Sequence, residues 1–496
     1  MIRKSVAIVT WIVTMLSSCL ATQQDGYNIV DFGAISDGIT VNTEAINNAI
    51  RACAVDGGGR VVIPPGTFKS GTIRLLNNVE LYLETGAVLM ASTDRRDFPR
   101  QPQPTYRSLK DKGGWFALVY ALEAQNIAIT GKGTIDGNGA AQQPDPTLFG
   151  GDLDGRPRNI LFISCKGVRV EGISMRNSGM WNQHYLDCED VLIDRIEVYN
   201  HSNRNNDGID IDGCRRVVLS NSIIDSDDDG ITLKSTGPAP TEDVVITNCV
   251  VSSFCNAIKA GTESTGGFRN ISISNCVVKP SRSETNPIFG TPRHGITGIS
   301  LEIVDGGTME GITISNVTIE GTECPLYIRL GNRARKYAED VPSPPMGKMR
   351  NISISNVIAY HTGNFSSSIT AIPGHYIENV LLSNVQFFNR GGLQPGDYIS
   401  RAKDVAEDER GYPQPTVWGN LPSSMFFIRH AKRVSLIGFQ FGSDRPDPRP
   451  PLVAVDVDLL RVVNGMHTGP SAKGVPFMVS EGVASHHVET PIGWDE

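Results

Sequence analysis

The sequence predicts an all-β chain, a single-stranded right-handed parallel β-helix (a solenoid) with a short capping helix at its N-terminal end. Three observations predict it. A two-strand pattern recurs along the chain, its spacing fits one coil of a solenoid, and no 3.6-residue apolar period runs beside it.

The pattern reads VRVEGISM from Val168, VLIDRIEV from Val191, VVLSNSII from Val217, VVITNCVV from Val244 and ISISNCVV from Ile271. It continues as ITISNVTI from Ile312, ISISNVIA from Ile352 and VLLSNVQF from Val380, with offsets of 23, 26, 27, 27, 41, 40 and 28 residues. Each unit alternates β-branched and polar residues, breaks at Gly, Asn or Arg, and alternates again. That describes two short strands around a bend. Propeller blades need more strands per repeat than this spacing holds. In a parallel β-helix each coil pairs with its neighbours at ~4.8 Å, and the longest offsets are coils carrying extended loops. Inward Val, Ile and Cys form the core, and Asn at the bends pairs with Asn. NIS at Asn270 and Asn351 matches a glycosylation acceptor, but both lie on the repeat and are read as structural.

The elements follow in order. Residues 1–21, with Arg3 and Lys4, an apolar run from Val6 to Leu16 and then small residues, read as a signal peptide. LSSC, Leu16 to Cys19, resembles a lipoprotein box, so cleavage before Cys19 is preferred to cleavage after Ala21. The expected location is the periplasm or cell surface, with membrane contact only through that lipid anchor, and free secretion as the alternative. Residues 25–463 are assigned to the β-helix domain. Near its start TVNTEAINNAIRACAVDGGG offers Asn42 or Thr43 as the N-cap of an amphipathic helix stopped by glycines, a cap for the solenoid. FFIRHAKRVSLIGFQF from Phe426 is one more coil, and 464–496 reads as a C-terminal tail.

With 496 residues, 40% hydrophobic and 20% charged, the composition is globular and excludes disorder and a coiled coil. A formal charge of -8 argues against a general nucleic-acid surface. No composition break forces a second domain, and a monomer is expected. Cys165, Cys188 and Cys214 share one phase of the repeat, as do Cys249 and Cys276, so stacked buried thiols are preferred to disulfides. No His/Cys cluster has zinc spacing, and neither metal nor cofactor is expected.

The chemistry lies in stacked acids. NNDGIDID places Asp207-Gly208-Ile209 and SDDDGITL places Asp229-Gly230-Ile231, an offset of 22 residues or about one coil. Asp207 and Asp229 therefore fall on adjacent rungs of one face with Asp228 beside them, and Asn256 follows 27 residues after Asp229. A single Asp-Gly is ordinary turn chemistry. A stacked cluster is not, because mutual repulsion makes it costly and raises at least one pKa, which yields an acid and a base side by side. Glycoside hydrolysis needs that pair.

Those motifs carry a resemblance. The chain resembles the polygalacturonases, glycoside hydrolase family 28, pectin-degrading right-handed β-helix proteins. The family's NTDG appears as Asn205-Asn206-Asp207-Gly208, and its GDD followed by an apolar strand and KS as Asp227-Asp228-Asp229 with Lys234-Ser235. The likeness runs from VDFGAISDG at Val30 to about residue 460. It implies an inverting hydrolase of uronic-acid-containing glycans, with Asp228 as general acid and Asp207 and Asp229 activating water. Two departures stand out. The GHG motif falls on Cys255-Asn256-Ala257, and Ser300 and Glu302 occupy the coil where the basic RIK is expected, with Lys259 in a similar setting one coil earlier.

Asn205, Asn256, Lys259, Arg293, His294, Arg329 and Arg333 are the candidate substrate-binding residues, because an acidic sugar needs cations and Arg holds a carboxylate bidentately. His184 is read as a packed histidine near the site, and Trp181 as either a sugar platform or core. The expected partner is a pectic poly- or oligosaccharide. Alternatives are a rhamnogalacturonan hydrolase, a β-helix polysaccharide lyase and a non-catalytic glycan-binding β-helix.

Overall fold

A computed structural model describes residues 26–102, 105–111, 115–143, 155–284 and 293–494. The signal-peptide reading of 1–21 lies outside the described residues. Among those described, 36 strands pair in parallel from coil to coil, each with the equivalent strand of the next turn. This is the β-helix the repeat predicts. Helix α1, Thr43–Val55, closes the N-terminal end by burying Ile46, Ala49, Ile50 and Cys53 over the first coil. Asn42 is its N-cap, but the Asn42 side chain serves the preceding turn, accepting from the Ile35 N–H at 2.7 Å.

The pattern units land in register. Val168, Val191, Val217, Val244, Ile271, Ile312, Ile352 and Val380 stack as partners of successive strands and point into the core. Stacked buried rows of this kind stabilise by roughly 25 cal/mol per Å² of apolar surface removed from water. The cysteines behave as small interior residues. All eight described ones are free and buried, and Cys188 N donates to Cys214 Sγ at 3.3 Å on the next coil.

The bends explain the asparagines. Asn275, Asn316 and Asn356 each take a left-handed φ, between 53° and 55°. Their amides form a column, Asn316 to Asn275 at 3.1 Å and Asn356 to Asn316 at 3.1 Å. Asn tolerates that backbone better than other residues with a Cβ and adds a hydrogen bond to the coil below. Asn270 and Asn351 belong to the same class of bend, engaged with Asp243 and Glu310.

The C-terminal segment departs from expectation. Met466–Thr468 and Met478–Val488 pair in parallel with the preceding coil, so much of what reads as tail is a further turn. Its strand Met478–Val488 is largely exposed, covered by no further strand among the described residues, and its alternation is weak.

The face that matters runs through six strands: β1 Gln183–Leu186, β2 Ile209–Asp212, β3 Ile231–Ser235, β4 Asn256–Ser264, β5 Gly295–Ile303 and β6 Thr322–Leu330. Their register stacks His184, Asp210, Thr232, Lys259, Ser300 and Tyr327 in one outward column.

The bend argument is testable. Asn316→Ala should lose more stability than Asn316→Gly, by about 1 kcal/mol, because both lose the amide column but only Ala meets the left-handed penalty. Denaturant midpoints of the two variants check this, and equal losses would count against backbone selection.

Candidate active site

Two loop-to-strand bends bring the acids together. Asp207 lies two residues before the start of β2, Asp228 and Asp229 just before β3, and the rungs are tied by Gly208 N–H to the Asp229 carbonyl at 2.9 Å and Gly230 N–H to the Asn256 carbonyl at 2.9 Å. The glycine after each Asp is forced by crowding. A Cβ on Gly208 would meet Ile224 at 2.4 Å and the Gly230 carbonyl at 2.6 Å, and one on Gly230 would meet the Ala257 carbonyl at 2.5 Å. The recurring Asp-Gly-Ile is therefore the sequence that lets successive coils approach while aiming carboxylates outward.

Asp227 stands apart and turns toward His201, which is held by Asp225 at 2.9 Å. Asp228 accepts from Asn205 Nδ2 at 3.4 Å and from the Asp229 N–H at 3.0 Å. Burial first, and then the charge of Asp229, raise its pKa above the usual carboxylate range. Asp229 is gripped on both oxygens: Asn256 Nδ2 donates to Oδ1 at 2.6 Å, and Lys259 Nζ meets Oδ2 at 3.0 Å. Asn256 in turn accepts from Thr297 Oγ1 at 2.7 Å, which fixes its amide. Asp207 is buried with Oδ1 lacking a hydrogen-bond partner. Burial, reinforced by Asp210 and Asp228, holds its pKa well above the ordinary value.

Several members have no sequence motif. Asp210, fully buried on β2, is pushed up to about 7 by burial against the pull of Lys234. Lys234 Nζ lies 3.7 Å from Asp207, 3.4 Å from Asp210 and 3.6 Å from Glu263. Burial works against its charge, but Asp210 and Glu263 keep Lys234 firmly protonated. Tyr412, from a loop more than 150 residues away, sets its hydroxyl 3.5 Å from Lys259 Nζ. Only Lys234 had a sequence signal, as the KS that follows the acid motif.

The remaining candidates are placed as follows. Lys259 is buried against Asp229 instead of projecting free into the cleft. Arg329 is buried and donates to the carbonyls of Ala371, Glu407 and Asp408, so its guanidinium braces the loop that carries Tyr412. Arg333 is clamped on buried Asp305 at 2.8 Å, with its guanidinium 5.9 Å from the Tyr412 ring centroid. Arg293 donates to the Ser281 carbonyl at 2.8 Å, and His294 sits against Gly321. His184 is packed, as read, bonded to Asp212 at 3.0 Å and pushed down to about 4 by burial.

Asp228, Asp229 and Cys255 present ligand atoms within 4.8 Å of one another. The fit to a metal ion is poor. Asp229 is already occupied by Lys259 and Asn256, and burial raises the Cys255 thiol well above the range where a thiolate forms.

Stacked acids in a β-helix cleft, Asp207 and Asp228 with raised pKa values and Asp229 held by a lysine, match an acid–base set for glycosidic bonds. A family model for glycosyl hydrolases family 28 matches residues 53–387. The chain belongs to this family. As a family 28 glycoside hydrolase it is similar to a probable polygalacturonase of Vitis vinifera, 26% identical over 74% of this chain and 75% of that one. It is also similar to an exo-poly-alpha-D-galacturonosidase of Dickeya chrysanthemi, 25% identical over 54% of this chain and about half (53%) of that protein. Among solved structures, an exopolygalacturonase from Thermotoga maritima shares the fold with a TM-score of 0.60, at 24% identity over 73% of this chain and 86% of that chain.

Where the family motif expects basic residues, this family 28 chain has Ser300 donating to Glu302 Oε1 at 2.6 Å. Glu302 is buried with Oε2 unpartnered, and burial pushes its pKa up to about 7. A carboxyl raised by folding stabilises the protein below its ordinary value, ~4.3, and loses that contribution as pH rises through about 7. Glu302→Gln should therefore gain stability relative to wild type on going from about pH 5 to about pH 8, on the order of 1–3 kcal/mol. Thermal melts at both pH values check this. A constant offset between the two proteins would refute it.

Proposed function

We propose that this chain is an exported, inverting hydrolase of pectic, uronic-acid-containing glycans, with Asp228 as general acid and Asp207 and Asp229 as the groups that hold the attacking water. The observation that carries the reading is the unequal environment of the acids. Asp228, raised by burial and by Asp229, is suited to keep a proton for the leaving oxygen. Asp229, ion-paired with Lys259 at 3.0 Å, is suited to accept the water's proton. Asp207, on the adjacent rung and short of one hydrogen bond, offers the second oxygen that orients that water. The substrate class rests on the family and on polygalacturonases among its relatives.

Inversion follows from the division of labour. Carboxyls ~5–5.5 Å apart usually mark retaining enzymes, and ~6.5–9.5 Å inverting ones, a rule framed for an isolated pair. Here Asp207 and Asp229 could together hold one water beside Asp228, so no covalent glycosyl step is required. Export rests on the signal-like sequence of residues 1–21.

A second reading, hydrolysis of a rhamnogalacturonan-type backbone, is favoured by Glu302. Its carboxyl, pushed up to about 7, stands in the coil where an acidic sugar would need a cation. Product profiles on defined oligogalacturonides and on alternating rhamnose–galacturonate oligosaccharides separate the two.

Asp228→Asn should lower kcat about a thousandfold while leaving folding and glycan binding nearly intact, since the amide cannot donate the proton and relieves repulsion. Near-wild-type turnover would remove Asp228 from its role. Proton NMR of the first product from an α-linked substrate should show the β-anomer. An α-anomer appearing before mutarotation would instead make one acid a nucleophile.

A further inference from the structure

A group of cations surrounds one indole on the N-terminal side of the acids. Trp181 sits just before β1, one rung ahead of Asp207, whose carbonyl accepts from the Asn182 N–H at 2.9 Å. The Lys234 and Lys110 ammonium groups each lie 4.5 Å from the Trp181 ring centroid, and the Arg158 guanidinium lies at 5.1 Å. Trp181 is thus a buried indole, 5% exposed, that carries these cations.

Lys234 is engaged by Asp207, Asp210 and Glu263. Lys110 differs. Its ammonium rests on the indole, and the acid that acts on it, Glu263, already meets Lys234 at 3.6 Å and Arg335 at 3.3 Å. Burial, with Lys234 and Arg158 close by, pushes the Lys110 pKa down. The lysine is nonetheless held in place, because Leu109 N–H donates to the Thr236 carbonyl at 2.8 Å and Lys110 N–H to Ser108 Oγ at 3.2 Å. Among the described residues no carboxylate pairs directly with this half-buried, positioned ammonium, and Glu263, the acid that acts on it, is shared with Lys234 and Arg335.

We propose that Lys110, seated on Trp181, is a specificity-determining residue that binds a uronate carboxylate of the glycan on the N-terminal side of the acids. This rests on the pectic-glycan reading above and deepens it. The carboxylate would meet an ammonium backed by an aromatic face and by the Arg158 charge. Lys234, 3.7 Å from Asp207, links that contact to the catalytic rung.

The test uses the full-length Asp228→Asn protein, so that ligands bind without turnover. Calorimetry compares an oligogalacturonide and an alternating rhamnose–galacturonate oligosaccharide with their carboxyl-reduced counterparts. Adding Lys110→Gln should raise Kd for an acidic ligand bound by the parent about tenfold or more, leave the reduced ligands unchanged, and be largely rescued by Lys110→Arg. Equal losses on acidic and reduced ligands, or no loss on the acidic one, overturn the assignment of Lys110 and leave the pectic reading standing. A parent that binds neither acidic ligand, with a wild type that cleaves neither, overturns both.

Discussion

Parallel registration of each coil on the next makes a column of whatever residue type recurs at one position. Apolar columns build the core at no cost. A column of carboxylates costs repulsion and desolvation together, and the active face is organised around that constraint. Two buried lysines answer it from different rungs: Lys234 among Asp207, Asp210 and Glu263, and Lys259 against Asp229. A buried ion pair adds little net stability over a well-packed apolar pair, but losing one partner leaves an uncompensated charge. The lysines are therefore read as the groups that keep the acids both stacked and unequal.

The solenoid supplies the floor, and segments remote in sequence supply the walls. Lys110 comes from a stretch held on Thr236, and Tyr412 from one braced by Arg329 and Arg429 through backbone carbonyls. This division, a rigid registered scaffold with chemistry trimmed by loops, places side chains by strand register on one side and by buried guanidinium clamps on the other.

Legibility divided along the same line. Repeat spacing, the cysteine stack, the asparagine bends and the Asp-Gly-Ile rungs are local or periodic, and the sequence displays them. What comes from between coils is hidden. Nothing near Tyr412 or Lys110 marks them as neighbours of Asp229 or Trp181, because the loops that deliver them have no period. Asp210 and Glu263 look like ordinary strand acids until register sets them around Lys234. Arg329 illustrates the converse error, since a basic residue in a promising motif carries no information about which carbonyls its guanidinium meets. The coil at 466–488 escaped because its strand Met478–Val488 is largely exposed among the described residues and shows no apolar outer row.

The charge pattern of the cleft is asymmetric, and that asymmetry bears on what binds. On the C-terminal side Arg333 and Arg335 converge on buried Asp305, each at 2.8 Å, and Lys259 is committed to Asp229. Cations there are neutralised internally, and Glu302 adds a carboxyl that burial pushes up to about 7. On the N-terminal side the ammonium of Lys110 stands over Trp181 with Arg158 and Lys234 beside it. The two sides of the acids thus differ in which charges are committed: Lys259, Arg333 and Arg335 to carboxylates on one side, and on the other Lys234 to three acids while Lys110 rests on the indole. On the proposed reading, this difference in committed charge is what the comparison of oligogalacturonides with alternating rhamnose–galacturonate oligosaccharides would expose.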